Sequence, residues 1–177
     1  MRATVYTIGH STRGADQFIA LLDAHRVRML VDVRTIPRSR HNPQFNADAL
    51  AATLMAAGIG YIHMPSLGGL RRPDRDSINS GWRNESFRGY ADYMQTIEFK
   101  NAINTLRHIA QKQFTAYMCS EAVWWSCHRA LVSDYLKIEG WTVMHIMNVG
   151  KATEHPFTKP ARVVDGQLRY DELHLFN

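Results

Sequence analysis

Apolar residues along this chain keep two rhythms. TVYTI at 4–8, MLVDV at 29–33, FTAYM at 114–118 and TVMHIM at 142–147 are short, β-branched or apolar runs of strand length, and Gly9 ends the first. A shorter run at 60–64 predicts a further strand. Between these runs the apolar positions step at helical spacing. Phe18, Leu21, Leu22 and His25 predict a helix over 14–26. Asn46 is a good N-cap for a helix over 47–57, which Gly58 stops. Residues 87–111 are helical in pattern with a break near Phe99. Residues 127–139 form a last helix, with Leu131, Val132, Tyr135, Leu136 and Ile138 facing inward and Gly140 ending it. The tail reads as a hairpin turning at Asp165-Gly166.

Strands alternating with helices in this order predict one α/β domain over 1–177. It is Rossmann-like, with a mostly parallel sheet of about five strands, helices on both faces and a C-terminal hairpin extension over 151–177. A chain of 177 residues with 45% apolar content can bury one core. No repeat or low-complexity segment interrupts it. The first twenty residues lack the apolar stretch and cleavage site of a secretory signal, and no window approaches the roughly 18 apolar residues of a membrane span. A cytoplasmic location and no membrane partner are therefore expected.

Charge sharpens the picture. The net charge is +5, and between Arg34 and Arg88 eight arginines, no lysine and four acids leave a net +4. Arginine's planar fork suits phosphate and carboxylate oxygens, so a phosphate-bearing small molecule or a nucleic acid is the expected partner, with Trp82 or Tyr90 available for stacking. The alternative is a solvated basic surface. The loop over 66–86, rich in Gly, Ser, Asn and charge, has the length of a functional or mobile segment.

Parallel sheets bind ligands beyond the carboxyl ends of their strands. That rule gathers His10 and Ser11 after the first strand, Asp32 and Arg34 at the end of the second, and Cys119, Ser120 and Glu121 after FTAYM. Asp32 interrupts an apolar run, and an unpaired carboxylate there would cost several kcal/mol. Arg34, two residues on, or His10 is its expected partner. The pair either staples the loop entry or makes an oriented base with an arginine anion clamp. Arg38, in the same arginine-rich loop, and Ser11 join the expected anion-binding set.

The strongest local signal is the segment from Cys119 to Arg129, CSEAVWWSCHR, read as a strand end, a loop and a helix start. Unpaired N–H groups at a helix N-terminus favour anions and lower the pKa of a thiol held there. Three readings stand side by side. In the first, Cys119 or Cys127 is a nucleophile, His10 and His128 carry protons, Glu121 and Asp32 orient, and Arg34 and Arg129 hold an anion, with no cofactor. In the second, Cys119, Cys127 and His128 bind zinc with a fourth ligand such as His10. In the third, the cysteines are buried structural residues. Trp124 and Trp125 either cover the core or stack on a base.

These pieces, taken together, resemble the family catalogued as domain of unknown function 488. The resemblance rests on Thr7-Ile-Gly-His-Ser11, on Leu30-Val-Asp-Val-Arg34 followed by Pro37 and Ser39, and on Phe45-Asn46. Leu67-Gly-Gly69, Cys119-x-Glu121 and Cys127-His-Arg129 complete it, over about residues 5–150. It implies a Rossmann-like α/β fold and brings no established reaction with it. A strand ending in cysteine, followed by a loop and an arginine-bearing helix, is also similar in outline to rhodaneses and cysteine phosphatases. In those families the arginine follows the cysteine by six positions, whereas Arg129 follows Cys119 by ten.

Overall fold

The computed structural model describes residues 3–172; the outermost parts of the 1–177 domain and of the 151–177 extension lie outside the described residues. Six strands form the main sheet: β1 (Thr4–Gly9), β2 (Met29–Asp32), β3 (Gly60–His63), β4 (Thr115–Cys119), β5 (Thr142–Asn148) and β6 (Lys151–Glu154). Their order is β3-β2-β4-β1-β5-β6, with the first five parallel and β6 antiparallel to β5. The expected count of about five becomes six because Lys-Ala-Thr-Glu at the edge is polar and short. An edge strand needs no apolar face of its own, so β6 carried no hydrophobic signature. The hairpin of β7 (Arg162–Val164) and β8 (Gln167–Arg169) turns at Asp165-Gly166, both at positive φ.

Two layers of helix cover the sheet. On one face α1 (Ala15–Ala24) and α2 (Ala47–Ala56) bury Phe18, Leu22, Leu50 and Leu54 against Ile8, Leu30, Ala116 and Met118. On the other, α3 (Glu85–Tyr93), α4 (Ile97–Lys112) and α5 (Arg129–Ile138) bury Tyr90, Phe99, Leu106, Leu131 and Leu136 against Val5, Val31, Tyr117 and Val143. Alternation along β4 sends Ala116 and Met118 to the first face and Tyr117 and Cys119 to the second. Cys119 therefore points toward the layer that contains α5.

Three local expectations change. The helix break falls at residues 94–96, where the Thr96 hydroxyl caps α4 by accepting from the Phe99 N–H; Phe99 itself is fully buried inside that helix. Asn46 precedes α2, but its side chain accepts from the Ser39 backbone N–H at 2.8 Å and so ties the arginine-rich loop instead of capping. Cys127 lies in extended backbone two residues before α5, outside its first turn.

The chain leaves β1 through α1 on one face and β4 through α5 on the other, although β1 and β4 are neighbours. Such diverging connections open a crevice at the strand ends. Pairing continues past both strands, with His10 N–H donating to the Cys119 carbonyl and Ser11 N–H to that of Ser120, each at 3.0 Å. Ser11 sits there at φ 51°, an uncommon conformation for a residue other than glycine.

Candidate functional site

On the β2 side of the crevice, Asp32 is fully buried. It accepts from Arg34 Nε (2.9 Å), Arg34 Nη2 (2.6 Å), the Arg34 backbone N–H (3.1 Å) and the Tyr61 hydroxyl (2.7 Å). Arg34 also donates to the Phe45 carbonyl at 2.7 Å and to His10 Nε2 at 3.3 Å. His10 in turn donates through Nδ1 to the Ser11 carbonyl at 2.7 Å and stacks on Phe45 with ring centroids 4.2 Å apart. Both ring nitrogens of His10 are thus committed, and burial lowers its pKa, keeping it neutral. The residue expected to carry a proton, His10, thus has its ring nitrogens facing Arg34 and the Ser11 carbonyl. Asp32 is likewise saturated behind Arg34, so its carboxylate orients the arginine and faces no cavity.

On the β4 side, the sulfurs of Cys119 and Cys127 and a ring nitrogen of His128 lie within 4.8 Å of one another, and all three residues are buried. Both cysteines are free thiols. Hydrogen bonding from the Cys127 thiol outweighs the opposing effect of burial, with help from His128 and Arg129, and lowers the Cys119 pKa to about 3. Burial, and then the Cys119 sulfur beside it, pushes the Cys127 thiol well up. His128 is 8% exposed and packs against Tyr90, and its Nε2 is buried with no hydrogen-bond partner among the described residues. Gly69 admits it: a Cβ there would stand 2.9 Å from His128 Nδ1.

Arg129 lies beneath this cluster at 1% exposure. It donates its backbone N–H (3.4 Å) and Nε–H (3.2 Å) to the Cys127 sulfur, Nη1–H to the Thr7 hydroxyl (2.9 Å) and Nη2–H to the Glu121 carbonyl (2.6 Å). Among the described residues no carboxylate pairs with it, and the Cys127 sulfur takes two of its N–H groups. Arg129, expected as a direct anion holder, holds the 120–127 segment and the Cys127 sulfur from within. Gly9 lets the segment pass: a Cβ at that position would stand 1.7 Å from the Glu121 carbonyl oxygen and 3.0 Å from Arg129 Nη2.

Above the cluster opens a cavity of about 430 Å³. Cys119, Cys127 and His128 line it, and so do His10, Arg34, Arg38 and Glu121. Asp32, Ser11 and Arg129 support the site without lining it. Arg38 and Glu121 are exposed, and no ion pair engages either among the described residues. Sequence reasoning named none of Gly69, Leu70, Ser86 and Phe87, which build the far wall, as site residues, although the first three lie in the 66–86 loop whose length had marked it as functional or mobile. The zinc set shrinks likewise from four residues to three, since His10 is engaged with Arg34 and Ser11. Of the aromatic candidates, Tyr90 is fully buried and donates to the Leu67 carbonyl, so it offers no stacking face. Trp124 lies parallel to His145 at 4.5 Å, and Trp125 is 54% exposed.

A second polar network went unread in the sequence. Asp134 on α5 is fully buried and accepts from His155 Nε2, the Thr158 backbone N–H and hydroxyl, and the Tyr170 hydroxyl. His145 Nε2 and His155 Nδ1 are 2.9 Å apart, which completes a chain from Asp134 to the Trp124 stack. It ties the C-terminal hairpin to the helix that carries Arg129.

No curated protein and no solved structure matches the chain. A family model described as "Domain of unknown function DUF488" matches residues 14–136, narrower than the 5–150 over which the resemblance was read but including Arg34, Arg38, both cysteines, His128 and Arg129. Since that match takes in more than half of its length, the chain belongs to the DUF488 family.

Proposed function

We propose that this protein is an enzyme, a hydrolase or transferase, that takes a phosphate-bearing substrate, either a small molecule or a nucleic acid, into the cavity and attacks it with the Cys119 thiolate. The observation that supports this reading is the meeting on one cavity of a sulfur faced by hydrogen-bond donors, a proton-bearing neighbour and an unpaired arginine. In the first step a bond forms from sulfur to the electrophilic centre, and the bond from that centre to the leaving oxygen breaks. His128 or the Cys127 thiol supplies the proton that the leaving oxygen takes up. Water or an acceptor hydroxyl then displaces the sulfur. Arg38 holds the anionic group, while Arg34, fixed by Asp32, offers its remaining Nη1–H. Arg129 and the Gly9 passage hold Cys127 in place.

The test is alkylation of the full chain by iodoacetamide. Cys119 is expected to react first, to be protected by inorganic phosphate or a phosphate ester, and to lose that protection in R38A. A Cys119 no faster than a free thiol, with no phosphate protection, overturns the proposal. Binding of a single-stranded oligonucleotide that falls steeply with salt and is indifferent to C119A would point instead to a non-catalytic binding module.

A further inference from the structure

The Nε2 of His128 is buried with no hydrogen-bond partner among the described residues, which leaves that ring nitrogen open to a ligand. A ring nitrogen shut away from water without a partner forfeits its hydrogen bond. Here it belongs to a residue whose neighbours are two thiols, all three ligand atoms within 4.8 Å. We propose that Cys119, Cys127 and His128 form a three-residue site for a borderline-soft divalent cation, Zn²⁺, whose remaining coordination position faces the 430 Å³ cavity.

Four features carry the inference. The donor set is two sulfurs and one imidazole, the combination that selects zinc over the oxygen-seeking cations magnesium and calcium. The spacing needs only a small contraction, since thiolate and imidazole donors stand about 2.3 and 2.0–2.1 Å from zinc. Arg129 donates two N–H groups to the Cys127 sulfur, an outer shell of the kind that orients and tunes a metal-bound thiolate. Finally, a zinc ion bound by two thiolates is neutral overall. The site can therefore accept it beside the buried Arg129 guanidinium without stacking up positive charge. Three protein ligands with an open fourth position is the pattern of catalytic and exchangeable zinc sites, whereas structural sites close the shell with four. The inference goes beyond the proposed reaction: a bound zinc ion takes up the Cys119 electron pair, so occupancy would switch thiolate attack off.

The experiment uses the full chain stripped with a chelator and titrated with Co²⁺, then Zn²⁺. One equivalent of Co²⁺ is expected to give thiolate-to-cobalt absorption in the near ultraviolet and an intense tetrahedral visible band, both erased by one equivalent of Zn²⁺. Zinc affinity, measured against a chromogenic chelator, should fall by more than about 100-fold in C127S and H128N, exceeding the roughly 10–100-fold cost of losing an outer-shell partner. The exposed-histidine control H108A should leave it unchanged. Circular dichroism confirms that each variant is folded, and C119S provides a third ligand variant should one of the others fail. No charge-transfer band, or an affinity untouched by C127S and H128N, overturns the site. Alkylation of the metal-free chain separates this outcome from the proposed reaction. A fast Cys119 without metal binding sinks the zinc site alone; three-ligand zinc binding with an unreactive metal-free Cys119 sinks the thiolate mechanism alone.

Discussion

At the scale of single residues, two positions concentrate the physics. The Cys119 thiol is lowered well below its ordinary range, chiefly by the neighbouring Cys127 thiol. A thiol titrating at the reference value of about 8.5 loses tenfold in thiolate for each pH unit below it. In metal-free protein, Cys119 alkylation is expected to stay level from about pH 5 to 8 on this account. C127A should restore a steep decline across that window, and a steep decline already present in the parent protein would refute the account. Gly9 is the second position. A methyl group there would overlap the Glu121 carbonyl, and backbone, unlike a flexible side chain, cannot swing away. G9A is expected to cost at least about 3 kcal/mol in denaturant unfolding, at the upper end of overpacking penalties, and to slow Cys119 alkylation. A change of a few tenths would mean that the segment relaxes freely.

At the scale of elements, α5 joins the site to the tail. Its first residue, Arg129, anchors the cluster, and one turn further on Asp134 gathers His155, Thr158 and Tyr170. His145, the far end of this chain, is driven down to about pKa 2, first by burial and then by His155. Its folded pKa lies below its unfolded value of about 6.5, so the unfolded chain binds the proton more readily and stability depends on pH in one direction. The contribution is full above about pH 6.5 and erodes as the pH falls toward 2, at up to about 1.4 kcal/mol per pH unit. Denaturant midpoints measured between pH 7 and 5 should therefore drop, and H145Q should flatten the drop. An equal slope in both proteins would locate acid sensitivity elsewhere.

For the whole molecule, the net +5 charge and the arginine-rich stretch bear on partners more than on fold. If the substrate is a nucleic acid, its affinity must fall with salt because bound phosphates release counterions. For a single-stranded oligonucleotide, R38A is expected to weaken binding and reduce the log–log salt slope by about one, as loss of one phosphate contact does. A slope unchanged in R38A would remove this arginine from the binding path. Among the described residues no helix is long and apolar enough to cross a membrane, in line with the absence of any such run in the sequence.

What the chain's residues determined by themselves is whatever depends on near neighbours. TVYTI, MLVDV and FTAYM became strands, and the stepped apolar positions became helices, because period and burial are set within a few residues. The Asp32–Arg34 pair was legible because two residues along a strand share a face. The edge rule put His10, Cys119 and the CHR segment on one side of the sheet because parallel strands all finish at the same edge. Tertiary structure alone decided which atoms were left free. That His10 is spent on Arg34, that Arg129 reaches Thr7 across 122 positions, and that His128 is buried against Gly69 depend on elements far apart in sequence. No periodicity records which lone pairs remain unpartnered after packing, and those unpartnered atoms are where chemistry can begin.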